Sequence, residues 1–214
     1  GMNAGDVASK LAIDATTRFL LNSMHWLFDP RQPEVERFVE DLKEAALFTH
    51  GIVRKDAETV PHHTGMGTTL TLACIIWPML YVMHVGDSRC YVMHKNDLVL
   101  LTRDQTFAQY LLDSGALSSE QFKSSPLKHV LISAIGGSDQ PTAAVYQQPL
   151  DNVDRLLLCS DGVTGHWSDE ELKELLRSNK SPNEICDEIV RVANERGGHD
   201  NITVITARFV DSGA

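Results

Sequence analysis

Residues 68–102 read TTLTLACIIWPMLYVMHVGDSRCYVMHKNDLVLLT, and the fold is decided there. Thr68 to Trp77 is rich in Thr, Leu and Ile, and Met79 to Val85 is a second apolar run, with Pro78 at the turn between them. Arg89 to His94 and Leu98 to Thr102 follow, joined by the tight turn Lys95-Asn96-Asp97. Short β-branched and aromatic runs separated by turn residues predict strands, here an antiparallel meander.

Upstream the period changes. From Asp6 to Trp26 the apolar residues Val7, Leu11, Ile13, Ala15, Phe19, Leu20 and Met24, with Leu27 just beyond, recur at largely helical spacing. Asp29-Pro30 and Gln32-Pro33 break the pattern. A second amphipathic helix is expected over about Glu34 to Arg54, its stripe being Phe38, Leu42, Ala45, Ala46 and Phe48.

Downstream, Thr106 to Leu117 reads as helical, and Ser118, Ser119 and Glu120 open another short helix. Val130 to Ile135 and Ala143 to Gln148 are expected strands. Arg155 to Cys159 is a compact apolar strand that stops at Ser160-Asp161-Gly162. Ser168 with Glu171 forms a capping box, Ser181-Pro182 opens a helix to about Arg196, and Ile202 to Phe209 is the last strand. Helices paired at the start and near the end, with antiparallel strands between, indicate an α+β fold and one domain over residues 1–214.

The composition narrows the function. A chain of 214 residues with 43% hydrophobic content can bury a substantial core. Its formal net charge of −10 argues against a nucleic-acid partner, which would call for a basic face. No apolar run approaches the ~20 residues of a membrane span, so no membrane partner is expected. Cys74, Cys90, Cys159 and Cys186 are scattered, without zinc spacing or a Cys-x5-Arg loop. Unpaired thiols suit a cytoplasmic location.

Three acidic motifs stand at strand ends: Gly86-Asp87-Ser88-Arg89, Ser160-Asp161-Gly162 and Gly198-His199-Asp200-Asn201. In each an aspartate sits beside a small residue, where the backbone can turn sharply. Asp161 is delivered by an apolar strand and Asp200 directly precedes one. Carboxylates on rigid strands suit hard cations such as Mg2+ or Mn2+. Any one of the three, taken alone, could equally be an ordinary Asx-turn.

Together the motifs resemble a family. Gly67-Thr68-Thr69, Val85-Gly86-Asp87-Ser88-Arg89, Leu101-Thr102-Arg103-Asp104, Leu158-Cys159-Ser160-Asp161-Gly162 and Gly197-Gly198-His199-Asp200-Asn201-Ile202-Thr203-Val204 occur in the order and spacing of the PPM (PP2C-like) serine/threonine protein phosphatases. Gly115-Ala116-Leu117 resembles that family's helical flap, and Ser133-Ala134-Ile135-Gly136 its Ala-x-Gly step. The likeness is greatest to bacterial enzymes paired with Ser/Thr kinases. It implies a four-layer α-β-β-α sandwich of two antiparallel sheets flanked by helix pairs. It also implies hydrolysis of phosphoserine and phosphothreonine in proteins by water activated at a dinuclear Mg2+ or Mn2+ centre, with a third, weaker ion in bacterial relatives. The implied metal ligands are Asp161 and Asp200, and Asp87 with Asp161 for the third ion. Asp87 could instead brace Arg89 or its turn. Asn201 is expected to orient its loop through backbone hydrogen bonds, and Gly67, Thr68 and Thr69 to let a strand pack closely.

The sequence departs from the family at its start. The segment Asn3 to Ser9 resembles the stretch directly after the family's Asp-Gly-x-Gly-Gly loop, and that loop, with two strands and a phosphate-binding arginine, has no counterpart in the 214 residues. Gly1-Met2 reads as a tag remnant and a start methionine. The expectation is a fold lacking its first strands, weak metal binding, and a homo-oligomer joined through exposed sheet edges. The implied partners are phosphorylated proteins and a Ser/Thr kinase with its substrates. The alternative is a non-catalytic PPM-like module that binds a phosphoprotein or regulator.

Overall fold

The computed structural model describes residues 4–23, 35–151, 153–198 and 200–210. Gly1 to Asn3, the expected helix end at Met24 to Leu27, the breaks at Asp29-Pro30 and Gln32-Pro33, Glu34 and His199 lie outside the described residues.

The helices are α1 (Gly5–Ser23), α2 (Val35–Thr59), α3 (Phe107–Asp113), α4 (Ser119–Ser124), α5 (Asp161–Thr164), α6 (Asp169–Arg177) and α7 (Pro182–Glu195), with 3-10 turns at Pro61–His63 and Pro126–His129. The strands are β1 (Leu70–Ile76), β2 (Met79–Val85), β3 (Arg89–His94), β4 (Asp97–Leu100), β5 (Ala144–Pro149), β6 (Val153–Cys159) and β7 (Val204–Arg208). They form two antiparallel sheets with flanking helices, one ordered β1-β2-β5 and the other β4-β3-β6-β7. The chain divides into two compact units. One comprises Gly1–Leu72, Met83–Gly86 and Gln105–Val145; the other comprises Ala73–Val82, Asp87–Asp104 and Tyr146–Ala214.

In the first unit α1 and α2 pack through small residues. Ala8, Ala12 and Ala15 of α1 are buried, as are Phe38, Leu42, Ala45 and Ala46 of α2. Buried Thr16 and Thr49 satisfy each other, Oγ1 to Oγ1, at 2.8 Å. Two members of the expected stripes face outward instead. Ile13 is exposed, and Phe48 lies on the outer side, 5.3 Å from the Phe19 ring with Arg18 above it. Helix α2 also runs one turn beyond the expected end.

The expected strand over Val130 to Ile135 is not formed. Only isolated bridges occur there, Leu131 to Thr106 and Ile135 to Thr68. The run is apolar, but Val130 and Ile132 are 47% and 52% exposed, so no sheet face holds it. A close approach occurs where Gly86, at φ +111°, lies against Thr69: a Cβ there would fall 2.4 Å from Thr69 Cγ2. Only glycine serves there, since both the conformation and the space forbid a side chain.

The second unit is built on β3 and β6, the two inner strands of their sheet. Successive side chains of a strand point to opposite faces. Cys90 and Val92 of β3 therefore join Leu80, Val82, Leu150, Val153 and Leu156 in one core. Tyr91 and Met93 join Leu157, Cys159 and the buried faces of α6 and α7 in another. Helix α7 contributes Ile185, Ile189 and Ala193, spaced four apart on one face. Trp167 closes this second core: its Nε1 donates to the Ile189 carbonyl at 3.1 Å, and the Arg196 guanidinium lies 5.2 Å above its ring. Trp77, at the β1–β2 turn, is 73% exposed. Both expected starts are present, with capping boxes at Ser168/Glu171 and Ser181/Glu184.

Candidate metal centre

Strand β6 ends where its backbone meets the start of β7. Ser160 N donates to the Thr203 carbonyl at 3.0 Å. The Ser160 hydroxyl accepts from Thr203 N at 3.0 Å and donates to the Asn201 carbonyl at 2.9 Å. Asp161 then opens the single turn α5, where Gly165 N closes on the Asp161 carbonyl at 2.8 Å. Gly162 lies so close to the next loop that a Cβ on it would stand 2.5 Å from Asn201 O. This clamp brings the loops carrying Asp161 and Asp200 together. Asp161 is half-buried and Asp200 exposed, with Asp200 Oδ1 accepting from Asn201 N at 2.7 Å. Asn201 acts through its backbone on both sides, as expected.

The third aspartate, Asp87, lies two residues before β3. Arg89 is the register partner of Cys159 in the antiparallel β3–β6 pair. Asp87 lies two residues before that pair and Asp161 two residues after it, near enough for the Asp161 charge to act on the Asp87 carboxyl. Asp87 is only 9% exposed. Burial first, and then the neighbouring carboxylates Asp161 and Asp104, push its carboxyl up to about 7, with Arg89 acting in the other direction.

Arg89 is braced, and by Asp104. Its Nε donates to Asp104 Oδ1 at 2.9 Å and its Nη2 to Oδ2 at 2.7 Å, the paired geometry that makes arginine–carboxylate bonds strong. The idea that Asp87 holds Arg89 is therefore corrected. Arg89 Nη1 donates to the Tyr91 hydroxyl at 3.1 Å, and that hydroxyl donates to Asp169 Oδ1 at 2.9 Å. Asp104 stands in the Leu-Thr-Arg-Asp motif without a role assigned from sequence, because its partner is 15 residues away. Nothing in the sequence pointed to Asp169.

The thiols play no part in this site. Burial pushes Cys90 and Cys159 up to about 12 and Cys74 up to about 11, which leaves them protonated at neutral pH.

Among the described residues, no three His, Cys, Asp or Glu side chains converge closely enough to enclose a metal ion. What the site offers is a carboxylate pair, Asp87 with Asp161, whose mutual repulsion a cation would relieve, and a clamped neighbouring loop carrying Asp200. Oxygen donors in this number fit a hard divalent cation that keeps most of its water.

The family model described as Stage II sporulation protein E (SpoIIE) matches residues 40–210. The serine/threonine phosphatase stp of Listeria welshimeri is 33% identical over 205 residues, which covers 96% of this chain and 79% of that protein. The crystal structure of the Mycobacterium tuberculosis serine/threonine phosphatase PstP/Ppp matches with a TM-score of 0.79 at 32% identity, covering 96% of this chain and 82% of that one. The catalytic domain of PstP in complex with 2 manganese ions matches at 0.73 and 31%, covering 97% and 83%.

Proposed function

We infer the activity from the premise that this chain belongs to the SpoIIE/PP2C-like family of serine/threonine phosphatases. Its reaction is the metal-dependent hydrolysis of phosphoserine and phosphothreonine in proteins. The observation that carries this reading is the clamp of Ser160 and Gly162 on Asn201, which sets two aspartate loops side by side, with buried Asp87 near enough to feel the Asp161 charge.

Asp161, Asp200 and Asp87 are the residues of this chain that would hold divalent cations, Mg2+ or Mn2+. Two ions are taken for the main site and a third, weaker one for Asp87 with Asp161. Such ions, when bound, acidify a water and offset the charge on phosphoryl oxygens. The protein holds the carboxylates rigidly, keeps Arg89 on Asp104, and contributes no thiol nucleophile. Phosphorylated proteins are the substrates, and a Ser/Thr kinase acting on the same proteins is the matching partner. No described helix is long and apolar enough to cross a membrane. The described thiols are all free, which suits the cytoplasm.

The test is hydrolysis of p-nitrophenyl phosphate and of a phosphothreonine peptide with millimolar Mn2+. Turnover that needs Mn2+ and is lost in Asp161→Asn supports the reading. Phosphopeptide binding without any turnover, with or without an added Asp-Gly-x-Gly-Gly segment, would make the chain a binding module instead.

A further inference from the structure

We propose that Tyr91 and Asp169 are positioning residues for the cation site, tethering Arg89 to Asp104 so that its guanidinium stays off the Asp87–Asp161 pair. The proposal rests on the reading of Asp87 and Asp161 as cation ligands.

Arg89 follows Asp87 by two residues, and its charge already acts on the Asp87 carboxyl. The guanidinium is thus placed to reach the carboxylate that a dication would use. An arginine there competes directly: it carries a permanent charge and a donor fork shaped for carboxylates. In the structure that competition is suppressed by bonds on three different nitrogens. Nε and Nη2 are taken by the two oxygens of Asp104, and Nη1 by the Tyr91 hydroxyl.

The hydroxyl has one proton, and its direction is fixed. It accepts from Arg89 and donates to Asp169 Oδ1 at 2.9 Å. Asp169 therefore determines which way the phenol proton points, and so keeps its lone pairs turned toward Arg89. Asp169 is held in turn as the first residue of α6, next to the Ser168/Glu171 capping box. The Tyr91 ring is buried in the core with Leu157 and Leu172, so it has little freedom to follow the arginine. The start of α6 is by this route connected to the charge balance at Asp87.

The experiment is calorimetric titration of Mn2+ into the 214-residue chain and into Tyr91→Phe, Asp169→Ala and Asp169→Asn, with Arg89→Gln made alone and combined with Tyr91→Phe. Tyr91→Phe and Asp169→Ala are expected to weaken Mn2+ binding by about tenfold, the scale on which residues behind a metal ligand act. Asp169→Asn, whose amide oxygen still accepts from the phenol, should recover most of the loss. In the Arg89→Gln background Tyr91→Phe should change nothing further, because no guanidinium remains to be tethered. Asp169 is exposed, so its variants leave the core intact if Tyr91→Phe fails to fold. Equal Mn2+ affinity in the unaltered chain and both tether variants overturns the proposal while leaving the cation reading in place, even if melting temperatures fall. An equal loss with and without Arg89 overturns the tether. Absence of Mn2+ binding by the unaltered chain overturns the reading and the proposal together.

Discussion

Replacing Gly162 by alanine adds a methyl group where the fold leaves no room. The new Cβ would stand 2.5 Å from Asn201 O, 3.0 Å from Asn201 C and 3.4 Å from Ile202 Cγ1. Restoring an ordinary contact of 3.4 Å to that oxygen requires a displacement of about 0.9 Å (3.4 minus 2.5). The same oxygen accepts from Ser160 Oγ at 2.9 Å. A displacement of that size stretches the bond beyond useful length. Overpacking costs about 1–3 kcal/mol, and the lost hydrogen bond about 1 kcal/mol more. The sum, about 2–4 kcal/mol, lowers the melting temperature by roughly 5–15 °C in a chain of this size. The opposing effect is helix propensity, which favours alanine over glycine by about 1 kcal/mol. The steric cost is the larger, so a net loss of about 1–3 kcal/mol remains and the melting temperature still falls. Scanning calorimetry of Gly162→Ala beside Ser160→Ala, with Mn2+ titration of both, is the measurement. A melting temperature equal to or above that of the unaltered chain would refute the clamp.

Asp87→Asn and Asp161→Asn should each raise the melting temperature of the metal-free chain, by removing repulsion, and abolish the increase that Mn2+ brings to the unaltered chain; a retained Mn2+ response in either removes that residue from the site. The His50 ring is held below its ordinary range by burial and then by Arg54, despite a backbone bond to Ala134, and its Nδ1 accepts from Gly136 N at 3.1 Å. Its contribution to stability is therefore present above about pH 6.5 and lost as pH falls through the lowered value, so His50→Gln should flatten the acid side of the stability curve. Mn2+-dependent p-nitrophenyl phosphate hydrolysis should be lost in Asp200→Asn; turnover equal to that before the substitution would remove Asp200 from the site. Strand β7 is the last in its sheet order, with Ile205 58% exposed, so light scattering behind a sizing column should find a dimer or larger, and a stable monomer would refute edge pairing.

Features encoded within a few residues were legible in the sequence. The Ser168/Glu171 box and the Ser181-Pro182 start can be read because a cap and its partner are three residues apart. The strand before Asp161 can be read because its Leu156 to Cys159 half is covered on both faces and so is an unbroken apolar run. Val130 to Ile135 misled because an apolar run is taken as evidence of burial, and here two of its members face solvent. Helix α1 misled in the opposite way: it buries alanines and leaves Ile13 outside, since close approach to α2 favours small residues over large ones. The site was legible as three aspartate motifs, but not the bonds between them. Arg89's choice of Asp104 over the nearer Asp87, and the contact of Tyr91 with Asp169 across 78 residues, depend on strand register and helix docking that no local pattern records.

The two tryptophans of the second unit give the fold an optical readout. The chain has three, of which Trp26 lies outside the described residues. Trp77 is 73% exposed, whereas Trp167 is 9% exposed, with a cation above its ring and its N–H bonded. Acrylamide should quench emission from Trp77 long before it reaches Trp167. With Trp77 and Trp26 replaced by phenylalanine, the remaining fluorescence would report on the seating of the α5–α6 connection against α7 alone. Arg196→Lys would then alter its intensity without unfolding the chain.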